Sequence, residues 1–198
     1  MPSQITICNR ALGLLGASTI SSLTDATAEA KRCNASWATV LDACLVSHDW
    51  GFAEAKAIVA ADSTDPIVGY AYRYLMPVSP HCLRVRQVLD EYGGKYKYRV
   101  AGRYIECDCE APIYLIYTAR ITDYNQLSAL FVEGMILALA AELAIPLTAD
   151  KDMRDMYRRD AKNALAAAAA SDSNESDEAT PQTTSSWLDA RGTAEVEE

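Results

Sequence analysis

Histidine is nearly missing from this chain of 198 residues: His48 and His81 are the only two. So small a supply leaves little material for imidazole-based metal binding or acid–base chemistry. Basic residues are in deficit, with 18 Lys and Arg against 27 Asp and Glu and a net charge of −9. A protein that coats nucleic acid needs the opposite balance. No basic stretch followed by an apolar one opens the chain, so no secretory leader is expected. The longest apolar run, residues 134–141, is interrupted by Glu142 and is too short to span a bilayer. No glycine-rich phosphate loop occurs; Gly13 and Gly16 bracket Leu14-Leu15, and Gly16 reads as a helix stop.

What is present describes an ordinary globular chain, 50% apolar and 23% charged. The acidity is concentrated at one end. Residues 171–198 hold eight acids and a single base, Arg191, for a net −7 that leaves only −2 on the rest. Such an arm suits solvent or a basic partner groove and repels phosphate. Six cysteines (8, 33, 44, 82, 107 and 109) have no framework spacing, and buried reduced thiols are expected.

Periodicity divides the chain. Ile5, Cys8, Leu12 and Leu15 predict a helix over 4–15, begun by Ser3 as N-cap. Cys33, Trp37, Val40, Leu41, Cys44 and Leu45 predict a second helix from Asp25 to about Trp50-Gly51. Seven of the eleven tyrosines then fall between Gly69 and Tyr104 among Pro and Gly, which predicts strands. These are expected over 70–76, 83–89, 95–107 as a hairpin about Ala101-Gly102, and 113–121. The hairpin register sets Lys97 opposite Glu106 and Lys95 opposite Asp108, with Tyr96, Tyr98, Val100, Ile105 and Cys107 on the other face. Helices resume near Gln126, in a strongly apolar segment expected to end at Ile145-Pro146. Thr148 is expected to cap a fourth helix that runs into the alanine tract 166–170.

The expected fold is therefore α+β. A mainly helical bundle of about four helices (1–51 and 122–170) carries an inserted antiparallel β-hairpin domain (52–121) and an acidic, extended C-terminal arm (171–198).

Chemistry-bearing patterns are few. Ser47-His48-Asp49 has triad residue types, but consecutive helical residues diverge by about 100° and cannot relay a proton. Cys107 and Cys109 with His81-Cys82 could supply three thiolates and an imidazole to zinc, without the usual knuckle spacing. Glu106, Asp108 and Glu110 form a carboxylate row, open to a divalent cation or an acid pair, and more simply an ion-pair ladder with Lys95 and Lys97. The tyrosines read as packing and subunit-interface residues. Trp187-Leu188, alone in a polar acidic arm, is either incidental or an anchor for a partner, and the anchor is favoured.

Taken in order, the motifs resemble a known family. They are ITICNRALGLLG (5–16), the segment 25–50 with Glu-Ala-Lys-Arg-Cys near its start and Ser-His-Asp-Trp at its close, GYAYRYL (69–75), and PHCLRV (80–85). YLIYTARITD (114–123), FVEGMILALAAELAIPLT (131–148) and SWLDAR (186–191) complete the set. The chain resembles the head-to-tail adaptor (connector) proteins of tailed bacteriophages, of the tail tubular protein A type.

That resemblance implies a non-enzymatic virion protein without cofactor or metal, assembled at the head–tail junction in the bacterial host cytoplasm. It implies a homo-oligomeric ring, usually of about twelve copies, beneath the portal. The ring extends the DNA channel, through which genomic DNA passes without specific binding, and forms the platform for the tail nozzle or next tail protein. No membrane is involved. The portal contact falls on Ser186, Trp187, Leu188 and Arg191, and nozzle or inter-subunit contacts on Tyr70, Tyr72, Tyr74, Tyr96 and Tyr98. The ring interface falls on the alanine-rich fourth helix. A neck or tail-completion protein away from the portal is the nearest alternative. A zinc-dependent enzyme and an acidic-arm interaction module are alternatives of other classes.

Overall fold

The structure, a computed structural model, describes residues 2–175. Its fold is α+β: four helices and two antiparallel sheets.

Helix α1 (Gln4–Leu14) begins where the Ser3 hydroxyl accepts the Thr6 amide, and stops where Gly16 turns to a φ of +66°. Helix α2 (Ala28–Val46) starts three residues after the expected Asp25, because Thr27 caps it by accepting the Ala30 amide, and it ends at Val46, short of the expected Trp50-Gly51. The loop between them is held by Asn9, whose side chain both donates to the Ile20 carbonyl and accepts its amide. Helix α3 (Ala129–Thr148) is capped by Ser128, after a short 3-10 turn at Tyr124–Gln126. Pro146 does not end it. The proline sits in the last turn, where the carbonyl that loses its partner belongs to exposed Glu142. The helix closes three residues later, at left-handed Ala149, whose amide bonds the Ile145 carbonyl. The Thr148 hydroxyl bonds back to the Ala144 carbonyl, so Asp150, which accepts the Met153 amide at 3.0 Å, is the cap of helix α4 (Lys151–Glu175). Helix α4 runs on through Ser171–Glu175, the first part of the expected arm.

By length and composition α3 is long and apolar enough to cross a membrane, more than the run 134–141 suggests. In the fold it packs against α1, α2 and α4 and forms the centre of the helical core. Gly134 permits the α3–α4 contact: a Cβ there would meet the Leu165 side chain at 2.8 Å and its amide nitrogen at 3.2 Å. The ends of α4 are pinned as well, by a Tyr157 hydroxyl donating to the Leu14 carbonyl and by Asp172 on the Gly51 amide.

The β region holds two sheets over one core. Sheet one has the order β1-β7-β3-β4, with β1 (Glu54–Val59), β3 (Cys82–Leu89), β4 (Lys95–Tyr96) and β7 (Ile113–Ala119). Sheet two has the order β2-β6-β5, with β2 (Tyr72–Leu75), β5 (Tyr98–Ala101) and β6 (Tyr104–Cys107). Tyr74, Val85, Val88, Ile105, Cys107 and Leu115 meet between them. This core is a separate apolar cluster from the helical one, whose members between α2 and α3 are Trp50, Ala53, Ile121 and Leu127.

Two strand expectations change. Segment 95–101 is not one strand: it leaves sheet one after Tyr96 and enters sheet two at Tyr98. The hairpin turns on Gly102-Arg103, with Gly102 at a φ of +62°, so Glu106 faces Arg99 and Cys107 faces Tyr98. Within 98–107 the shift of two positions keeps each residue's face and changes its partner, whereas Tyr96 leaves the hairpin for sheet one. Lys95 pairs with Leu89, and Asp108 instead accepts the Ala71 amide at 2.9 Å.

Replacing Gly134 by Val inserts a branched side chain into the α3–α4 contact. Urea denaturation is expected to show a loss of about 2–3 kcal/mol. A wild-type midpoint would contradict the close approach.

Candidate functional site

The residues at the end of α2 organise the place where helices, sheet one and α4 converge. Trp50 is completely buried; its indole donates to the Cys44 carbonyl at 2.9 Å and packs against His48, Phe52 and Phe131. The Trp50 carbonyl accepts from the Arg86 guanidinium at 2.7 Å. Arg86 comes from β3, and its side chain is only 7% exposed. It also donates to the fully buried Thr118 hydroxyl at 3.0 Å, and lies 3.1 Å from Asp49. Burial disfavours this cation and lowers its pKa, an effect opposed by Asp49 and Glu54. Arg84 reaches the Val46 carbonyl and Asp49, and Arg120 pairs with Asp42 of α2, its Nε at 2.8 Å. Three arginines from the β region thus clasp the end of α2.

Ser47, His48 and Asp49 each serve a different partner. The Ser47 hydroxyl donates to the Cys44 carbonyl at 2.7 Å; Asp49 belongs to the arginine clasp; His48 Nε2 lies 3.6 Å from Asp172. Both oxygens of Asp172 also accept the Gly51 amide, at 3.0 and 3.2 Å. No proton relay joins these three residues; they form a structural junction that fastens the last turns of α4.

Two depressions flank that junction. A polar cleft of about 670 Å³ lies between His48, Glu54, Arg86, Lys95 and Asp172. A largely apolar groove of about 490 Å³ runs between α2, α3 and α4. Its walls include Ala43, Ala138, Ala141, Ala161, Leu165 and Ala169, and Arg158 and Lys162 stand at its rim.

The cysteine and carboxylate patterns resolve into packing. Cys82, Cys107 and Cys109 are all buried in the β core as free thiols, and burial pushes each of them up, toward the neutral form. Among the described residues, no three of His, Cys, Asp and Glu are placed to hold a metal ion. In the helical core, burial pushes the Cys44 thiol up to about 12. Glu106 is buried against Arg99, whose Nε lies 2.9 Å away, while Asp108 and Glu110 are exposed, so the carboxylate row does not converge.

The tyrosines do not share one outer face. Tyr74 is fully buried and its hydroxyl donates to the Cys109 carbonyl at 2.6 Å, which removes it from any contact surface. Tyr98 is half-buried and bonds the Val85 carbonyl across the two sheets. Tyr70 and Tyr72 are half-buried on the β2 side, and Tyr96 is exposed on the other sheet. Among the described residues, the apolar side chains that reach solvent most fully are Ile67, Val68 and Tyr92, in loops. Pro66 and Gly69 around the first two mark a loop tip, a signal that the tyrosine count overshadows. Ser186, Trp187, Leu188 and Arg191 lie outside the described residues.

The Arg86 contacts make a direct prediction. Arg86→Met strands the Trp50 carbonyl and the Thr118 hydroxyl, and is expected to cost about 3 kcal/mol of unfolding free energy in urea. Arg84→Met, at a side chain 41% exposed, is expected to cost about 1 kcal/mol or less. Equal losses would contradict the assignment of Arg86 as the central contact.

The chain matches no protein-family model and no curated protein.

Proposed function

We propose that this chain is a head-to-tail adaptor of a tailed bacteriophage: a non-enzymatic virion protein that forms a ring beneath the portal, extends the DNA channel and supports the tail nozzle. The observation that carries the reading is the ordered set of motifs from Ile5 to Arg191, which spans nearly the whole chain.

Physical features support it. The motif residues within the described part are framework residues rather than reactive ones: Asn9 locks the α1–α2 loop, Trp50 anchors the junction, and Arg84 and Arg120 clasp α2. A ring component needs a rigid body presenting separate surfaces to its neighbours, to the portal and to the tail. Helix α4 offers such a surface, since only Ala161 and Ala168 of its 25 residues are buried. The loop tip at Ile67-Val68 offers another, on the β region. Beyond α4 the chain continues for 23 residues with six acids, Arg191 and the Trp187-Leu188 pair.

In this reading assembly is the mechanism. Each subunit folds alone, and modest neighbour contacts add up when the portal presents its symmetric array. The Trp187-Leu188 pair supplies the apolar anchor to the portal, with Ser186 and Arg191 beside it. The acid-rich chain repels phosphate, so DNA in the channel slides past without being held.

Deleting residues 187–198 is expected to leave the thermal transition of the body in place. It is expected to weaken binding to portal rings by about thirtyfold or more, the loss of one apolar hot spot. Sedimentation with purified portal rings measures this. Unchanged affinity would remove the anchor, and would favour a neck protein seated away from the portal if the shortened chain instead bound the tail.

A further inference from the structure

The apolar groove between α2, α3 and α4 has no cover among the described residues, and its composition calls for one. Six of its wall positions are Ala43, Ala138, Ala141, Ala161, Leu165 and Ala169. Its volume of about 490 Å³ lies within the range of pockets that enclose a compact apolar ligand, about 300–1,000 Å³. Arg158 and Lys162, one helical turn apart, line the groove and outnumber its one acid, Glu142; neither basic residue has an ion-pair partner among the described residues.

We propose that this groove receives the chain's own Trp187-Leu188, folded back from the end of α4. Three observations point to that occupant. First, the reach suffices. Trp187 lies twelve positions beyond Glu175, a span of up to about 40 Å when extended. The α4 wall between Ala169 and Arg158 is only about 16 Å long. Second, the start is fixed nearby, because Asp172 ties the last turns of α4 to Gly51, beside the groove residues Ser47 and His48. Third, the charges complement each other. The 23 residues after Glu175 carry six acids and one arginine, and Asp189 directly follows the apolar pair. The indole and the leucine side chain fill the alanine-walled space while neighbouring acids meet Arg158 and Lys162.

The inference concerns the free chain and does not depend on what the assembled protein binds. Where the same Trp187 also serves a partner, the groove holds it until that partner competes for it, and binding then includes the work of undocking.

Acrylamide quenching of tryptophan fluorescence in the full chain tests it. Trp37 and Trp50 are 5% and 0% exposed, so the quenchable signal reports Trp187, and the difference from Trp187→Phe isolates it. A docked state favoured about tenfold leaves Trp187 about tenfold less quenched than a free indole. The double variant Arg158→Glu/Lys162→Glu, at exposed positions, is expected to raise quenching severalfold with an unchanged circular dichroism spectrum. Ala166→Glu, at the groove edge, is expected to do the same without altering the basic pair. Protection is expected to be independent of protein concentration. Free-indole quenching in the wild type, or protection indifferent to both groove variants, would overturn the proposal. Protection lost on dilution would also overturn it, by assigning the groove to a segment of a second copy.

Discussion

Arg86 holds the molecule together. The protein has two apolar cores, one helical and one between two sheets, and neither extends far into the other. The junction depends on a buried cation of β3 that is satisfied from both sides, by Trp50 after α2 and by Thr118 of β7. The Trp50 carbonyl and Thr118 hydroxyl take two of its hydrogen bonds, and Asp49 faces its charge. A buried guanidinium is tolerated only where its donors are paired, so the geometry of the α2 end is constrained from both sides. Trp50 conveys that constraint inward through Phe131 to α3, and His48 and Gly51 convey it outward to α4 through Asp172. The polar cleft and the apolar groove both border this junction.

Local chemistry made much of this fold readable in advance. Ser3 and Gly16 delimit α1 because capping and left-handed conformations are properties of single residues. The inward face of the hairpin, with Ile105 and Cys107, is also local, since alternation survives any register shift by an even count. The partners themselves were not readable. Ala101-Gly102 and Gly102-Arg103 are both admissible turns, and the choice rests on β6 pairing with β2 as well as β5. Strand β1 escaped notice because Glu54-Ala-Lys-Ala-Ile-Val59 has weak β propensity and is ordered by pairing with β7. Pro146 misleads for a similar reason: a proline breaks a helix interior, but near the C-terminal end its missing amide costs one bond, to the carbonyl of exposed Glu142.

The candidate site shows the same division. Trp50 and the residues around it stand out in the sequence, whereas the role of Arg86 depends on contacts 32 and 36 positions away. Counting tyrosines could not separate Tyr74, which closes the β core, from Tyr96, which reaches solvent. Among the described apolar residues, the fullest exposure falls on Ile67, Val68 and Tyr92 in loops, with Ile58 and Val100 exposed on strands. Ser47, His48 and Asp49 carry triad residue types in the sequence, yet each is committed to a different partner in the fold.

The adaptor reading is most directly tested by native mass spectrometry of the full chain, alone and after mixing with purified tailed-phage portal rings. The account predicts a small species alone and a portal-bound ring after mixing, with one copy per portal subunit or a fixed fraction of that. A chain that ignores the portal at micromolar concentration, while its circular dichroism spectrum shows it folded, would contradict the account.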